Sequence, residues 1–173
     1  MENLDLAGLI RNIPDFPMPG IQFKDITTLI GNGPAFQQLT NTLTERYKGQ
    51  PIDAVAGVES RGFIFSAPIA LALGVGLVPI RKPGKLPAAT YQIEYALEYG
   101  SNKLEIHQDA FTEGARVLLV DDLLATGGTI AAATKLIEQA GGVVHELAFV
   151  IELTFLNGRE QLAPYPVYSL VKY

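Results

Sequence analysis

The 173-residue chain contains no cysteine, so neither a disulfide framework nor thiolate chemistry is open to it. Histidine is scarce: His107 and His145 lie far apart and lack the spacing of metal ligands, which leaves both as ordinary histidines. Positive charge is in deficit. With 13 Lys and Arg against 18 Asp and Glu the formal charge is −5, so the protein has no global attraction for nucleic acid or an anionic membrane, and any anion must be held by a local cluster. No apolar run approaches membrane-spanning length, and the opening MENLDLAGLI carries acid where a signal peptide carries base. A cytoplasmic protein with no membrane and no nucleic-acid partner is expected. Two common phosphate motifs are missing as well: no G-x-G-x-x-G follows a strand-like run, and Gly84-Lys85 is followed by Leu86 and lacks the earlier glycine of a P-loop. No repeat, low-complexity stretch or linker divides the chain, and its 48% hydrophobic content suits a single domain over 1–173 with a sizeable core.

The most informative stretch present is VLLVDDLLATGGT, Val117 to Thr129. Val117 to Val120 is a continuous branched apolar run, as expected of a strand covered by helices on both faces of a parallel sheet. Ala125, Thr126, Gly127, Gly128 and Thr129 then form a tight turn whose glycines let backbone N–H groups point inward, with two hydroxyls as further donors. A helix from Ile130 to Ala140 follows, and its N-terminus adds partial positive charge to the same anion site. Asp121 and Asp122 repel a phosphate but suit ribose hydroxyls, which need acceptors, or a developing positive charge. A ligand with a phosphate at one end and a sugar in the middle satisfies both halves.

Elsewhere the pattern predicts two N-terminal amphipathic helices, one carrying Leu6, Leu9, Ile10 and Ile13 and the other Phe36, Leu39, Leu43 and Tyr47. An irregular proline-rich segment, IPDFPMPGIQFKD, lies between them. Strands are expected at Ile52–Val58, Leu77–Arg81, around Lys103–His107, Val143–Leu153 and Val167–Lys172, with an apolar helix from about Phe63 to Leu73 containing Pro68. Strands alternating with helices argue for a parallel α/β sheet with right-handed crossovers and a ligand at the carboxyl ends of its strands. There, in the turn Glu59-Ser60-Arg61-Gly62, Arg61 can fork two oxygens of a diphosphate, although the same turn alone is equally an arginine on a solvated helix start. Arg81, Lys82 and Lys85 concentrate positive charge in a long segment that could lead into a hairpin.

The VLLVDDLLATGGT stretch resembles the 5-phosphoribosyl-1-diphosphate (PRPP) motif of the type I phosphoribosyltransferases, and RKPGKLP with YALEYG and FPMPGIQFKDIT resemble the adenine phosphoribosyltransferase family among them. The likeness runs from about Ile13 to the C-terminus, with four motifs in the family's order. It implies an α/β fold of the type I phosphoribosyltransferase kind, a central parallel sheet flanked by helices. A small hood would come from about residues 1–33 and 153–166, with a mobile loop at about 81–100. It implies purine salvage, in which adenine and PRPP give AMP and diphosphate, with Mg2+ carried in by PRPP rather than held by the protein, in a homodimer. Glu59, Ser60, Arg61 and Gly62 become diphosphate contacts, as do Arg81, Lys82 and Lys85 on a closing lid that reaches partly across the dimer. Asp121, Asp122 and Arg61 become catalytic, and Glu98 falls where the family has a glutamate near the reacting purine nitrogen. Phe23, otherwise a core aromatic, would stack on the base, with the backbone of Gln22 and Lys24 at its edge and Leu153 as an aliphatic contact. Alternatives are a transferase for another purine base, or a PRPP-binding regulatory module of the same fold without turnover. The regulator would need a nucleic-acid-binding segment for which the chain is expected to leave no room.

Overall fold

A computed structural model describes residues 4–96 and 101–173, which fall into two compact units, 4–46 and 47–173. In the first unit, β1 (Arg11–Pro14) pairs antiparallel with β2 (Gln22–Asp25), so that Ile13 faces Phe23 in register. The predicted first helix is therefore not formed. The Asp5 carboxylate takes the Gly8 N–H at 3.0 Å, Ile10 closes a turn on Ala7, and Pro14 favours extended backbone before it, so residues 11–14 spend their polar groups on β2. A short α1 (Thr27–Ile30) follows, held at its start by the Asp25 carboxylate, which accepts the Thr27 N–H at 2.9 Å. That N–H first, and then Arg11, lower the Asp25 carboxyl to about 2. The second expected helix is present as α2 (Gly33–Tyr47), which starts with the Asn32 side chain accepting the Ala35 N–H. Ala35, Leu39 and Leu43, spaced by four, are fully buried on one face.

The second unit is built on a five-stranded, wholly parallel sheet in the order β4-β3-β7-β8-β9. Its strands are β3 (Ala54–Val58), β4 (Gly76–Ile80), β7 (Ala115–Leu124), β8 (Gly142–Glu152) and β9 (Val167–Lys172). β3, the middle of β7 and the end of β8 are buried on both faces, which explains their unbroken apolar runs. Between β3 and β4 runs α3 (Gly62–Leu73), with Pro68 inside it. Between β7 and β8 runs α4 (Gly128–Gln139), whose Ile130, Ala133, Leu136 and Ile137 enter the core. β5 (Thr90–Ala96) and β6 (Ser101–His107) form an antiparallel hairpin whose Tyr91, Ile93 and Tyr95 pack on that core. The long basic segment is thus irregular only up to Ala89, and a hairpin takes the rest.

One boundary moved in a way that matters. β7 was expected to end at Val120, yet pairing with β8 continues to Leu124 opposite Glu152, so both aspartates belong to the strand. Two 3₁₀ turns, Thr154–Leu156 and Gly158–Leu162, connect β8 to β9. No helix among the described residues is long and apolar enough to cross a membrane.

Candidate active site

At the carboxyl ends of β3 and β7, in the second unit, the sheet opens into a cavity of about 400 Å³, a size suited to a small molecule. Asp121 and Asp122 line it together with the turn Ala125, Thr126, Gly127, Gly128 and Thr129. Gly127 has φ +87°, a conformation that costs glycine nothing, and α4 begins there with no side-chain cap. No N-cap side chain therefore takes the first N–H groups of α4, the arrangement in which a helix start can receive an anion.

The neighbouring strand supplies the opposite wall through Val58, Glu59, Ser60 and Arg61. The peptide bond between Glu59 and Ser60 is cis. Arg61 Nε donates to Asp122 Oδ2 at 2.5 Å, joining two residues 61 positions apart. Asp122 is 5% exposed, so this bond compensates a carboxylate removed from water. Asp121 is different. Burial pushes its carboxyl well above the usual carboxylate range and the charge of Asp122 pushes it further, while the Asp122 N–H at 2.9 Å and the Arg61 charge draw it partly back.

Glu59 is committed to the basic segment. Its carboxylate accepts the Lys82 N–H at 3.0 Å and Arg81 Nε and Nη2 at 3.1 and 3.3 Å, and these contacts, the N–H foremost, hold it below the usual glutamate range. Arg81 also donates to the Lys85 carbonyl at 3.2 Å, and the Gly84 N–H donates to Glu105 at 3.1 Å. Residues 81–85 are thus pinned at two carboxylates. Of the predicted diphosphate contacts, Glu59, Ser60, Arg61 and Lys82 line the cavity. Arg81 and Lys85 stand outside its wall, and Gly62 lies beneath, where a Cβ would come within 2.8 Å of Asp121 Oδ1.

Glu98 lies outside the described residues. In the first unit Phe23 is half-buried in β2 and meets Phe16 edge to face at 5.2 Å, while the Gln22 side chain accepts a bond from Asn12 Nδ2 at 2.7 Å. Lys24 stands opposite Asn12 in the same strand pair. Leu153 follows β8, is 9% exposed, and donates its N–H to the Leu124 carbonyl at 2.9 Å. Sequence reasoning missed Tyr95, Asn102, Leu104 and Leu123, which also line the cavity; Tyr95 Oη lies 3.4 Å from Thr129 Oγ1. The signal was the alternation Tyr91, Ile93, Tyr95 along one face of a strand.

No three His, Cys, Asp or Glu side chains among the described residues gather into a metal-holding group. An adjacent pair of carboxylates, one of them raised by burial and by the charge of the other, nevertheless suits a cation that brings its own water and phosphate oxygens.

Comparison with known proteins agrees with this geometry. The phosphoribosyl transferase domain family matches residues 27–165. An adenine phosphoribosyltransferase of Chloroflexus aurantiacus is 76% identical over 173 residues, covering both chains completely, and one of Roseiflexus sp. is 64% identical over 98% of each. The crystal structure of adenine phosphoribosyltransferase from Thermoanaerobacter pseudethanolicus matches with a TM-score of 0.94 at 53% identity, covering 98% of each chain. That of the Saccharomyces cerevisiae enzyme, complexed with an iminoaltritol bisphosphate and adenine, matches at 0.90 and 44% identity over 96% of each.

Proposed function

The chain belongs to the phosphoribosyltransferase family, among the adenine phosphoribosyltransferases, with the type I fold of a parallel sheet flanked by helices, and from that premise we infer that it joins adenine to PRPP, releasing diphosphate and forming AMP. The convergence of the Ala125–Thr129 turn, the aspartate pair and Arg61 on one cavity carries this reading. The new bond links a ring nitrogen of adenine to the anomeric carbon, the bond from that carbon to diphosphate breaks, and the nitrogen's proton is lost.

In this reading the turn holds the 5-phosphate through backbone donors. Asp121 and Asp122 accept from the ribose hydroxyls and stabilise the cationic character that develops as diphosphate leaves. Glu59, Ser60, Arg61 and Gly62 form the diphosphate end, with Arg61 as its fork. Arg81, Lys82 and Lys85 belong to a lid over 81–100 that closes to keep water from the reacting carbon. Glu98 is the proposed proton acceptor. Asp121 and Asp122 are the residues whose carboxylates would accept from the water shell of an Mg2+ ion carried by PRPP. When bound, the metal neutralises charge on the departing diphosphate.

Phe23 is proposed as the stacking face for adenine and Leu153 as an aliphatic contact, these being hood residues of the family. Gln22 and Lys24, two apart on one strand, present their backbone groups to the same edge. A backbone carbonyl and N–H there fit the C6 amine and N1 of adenine and oppose the 6-oxopurines, like facing like.

A homodimer and a cytoplasmic location complete the proposal. α3 is apolar on nearly every side, as a buried helix is, yet Leu71 on it is 83% exposed and Leu77 on β4 is 41% exposed. A second copy would cover this face; sedimentation showing only monomer at assay concentration would remove it. Phosphorylated PRPP does not cross membranes unaided, which suits an enzyme inside the cell. The test of function is AMP and diphosphate formation from PRPP and magnesium, with adenine compared against hypoxanthine, guanine and xanthine. Turnover with adenine is expected; PRPP binding without turnover would contradict it.

A further inference from the structure

The phosphate turn has a back as well as a front, and the back is supplied by a distant part of the chain. Gly158 stands backbone to backbone against it. A Cβ on Gly127 would overlap the Gly158 carbonyl oxygen, and a Cβ on Gly158 would overlap the Ala125 carbonyl oxygen and lie 2.9 Å from Leu124 Cδ1. Contact this close leaves the turn no room to relax backward.

Gly158 is in turn placed by its neighbour. The Arg159 guanidinium forks Glu152, Nε to Oε1 at 2.6 Å and Nη2 to Oε2 at 2.7 Å, and Nη1 donates to the Val167 carbonyl at 3.0 Å. Glu152 is 4% exposed and closes β8 directly opposite Leu124, the last residue of β7 before the turn. The fork therefore ties Gly158 to the strand beside the one that carries the turn. Arg159 and Glu152 do not line the cavity. An ion pair with one buried and one half-exposed partner is weak evidence for stability, whereas a two-pronged fork fixes direction well.

Resting on the PRPP reading above, we propose that Gly158 and the Arg159–Glu152 fork are positioning residues for the 5-phosphate: they hold Ala125 to Gly127 in the shape in which its donors converge. Their influence is confined to one end of the substrate. Calorimetry with two probes separates the ends: ribose 5-phosphate carries only the first, and magnesium diphosphate only the second. Gly158→Ala is expected to weaken ribose 5-phosphate binding by about tenfold or more, about 1.4 kcal/mol, and to leave diphosphate binding unchanged. Arg159→Lys, which keeps the charge and loses the fork, should move ribose 5-phosphate in the same direction by less and raise the KM for PRPP without raising that for adenine. A folded Gly158→Ala that binds ribose 5-phosphate like wild type, or loses both probes equally, overturns the proposal. If Gly158→Ala does not fold, Arg159→Lys decides on the same criteria. Failure of the wild-type protein to bind ribose 5-phosphate would instead overturn the PRPP reading, and this inference with it.

Discussion

Two strand-to-helix turns open on one cavity from adjacent parallel strands, and in the proposed reading they grip the two anionic ends of PRPP in opposite ways. The turn between β7 and α4 is made of Ala125, Thr126 and Gly127 and offers its backbone, backed by Gly158. The turn between β3 and α3 offers charged side chains, each already tied to a partner: Arg61 to Asp122, and Glu59 to Arg81 and the Lys82 N–H. A backbone cradle is rigid and tolerates almost no side chain. A side-chain site is adjustable, and its geometry is inherited from residues far away in sequence.

The carboxyls beside the two turns move in opposite directions. Asp121 is raised, so its contribution to folding is fully present below the ordinary aspartate value and is lost as pH rises through the raised one. Glu59 is lowered, so its contribution is present above the ordinary glutamate value and is lost as pH falls through the lowered one. A cation arriving with PRPP would favour the charged form of Asp121, so substrate binding should release a proton near the upper end of that window.

The largest effect should come from the aspartates that stand between the turns. Asp121→Asn and Asp122→Asn should each lower kcat by about a hundredfold or more, the usual scale for losing one oriented group that stabilises transition-state charge. Near-normal steady-state kinetics in both would reduce the carboxylates to caps on the turn. Next is Gly127→Ala. With φ +87° and the Gly158 carbonyl in the way, strain of about 1–3 kcal/mol should appear as a rise in the KM for PRPP of about fivefold to a hundredfold, in a protein whose circular dichroism is unchanged. An unaltered KM would break the contrast, since the backbone turn would then be as adaptable as the side-chain one. The pH profile gives a smaller but sharper test. Activity that needs Asp121 ionised should fall on acidification from above the ordinary carboxylate range, and Asp122→Asn, by removing the like charge, should move that acid limb to lower pH. The smallest effect belongs to Gln22→Ala. If base recognition is also by backbone, preference for adenine over hypoxanthine should stay within about twofold, as for an exposed side chain of little energetic weight. Free use of hypoxanthine by this variant would assign the reading to the side chain.

The same contrast explains what was legible in the sequence. Backbone turns are written locally: an apolar run, small residues and a glycine pair identified the β7–α4 turn without any partner. The parallel sheet was equally visible, because strands buried on both faces read as unbroken Val, Leu and Ala. Partners were not visible. Nothing around Arg61 announces Asp122, and nothing around Glu59 announces that Arg81 occupies it, because each pairing exists only once strands are adjacent. Residues 6–13 carry four apolar positions at helical spacing, yet Pro14, the Asp5–Gly8 turn and strand pairing with residues 22–25 decide against a helix there. Gly158 looked like loop punctuation, and only the packing of its backbone against Ala125 and Gly127 gives it a purpose.

The central claim is that the substrate's two ends are held independently, one by backbone and the other by side chains. It is tested most directly by crossing two variants with two ligands in one calorimetric series: Gly127→Ala and Arg61→Ala, each titrated with ribose 5-phosphate and with magnesium diphosphate. The account predicts that Gly127→Ala loses ribose 5-phosphate and keeps diphosphate, while Arg61→Ala does the reverse. Loss of the same ligand by both variants, or of both ligands by either, would contradict it.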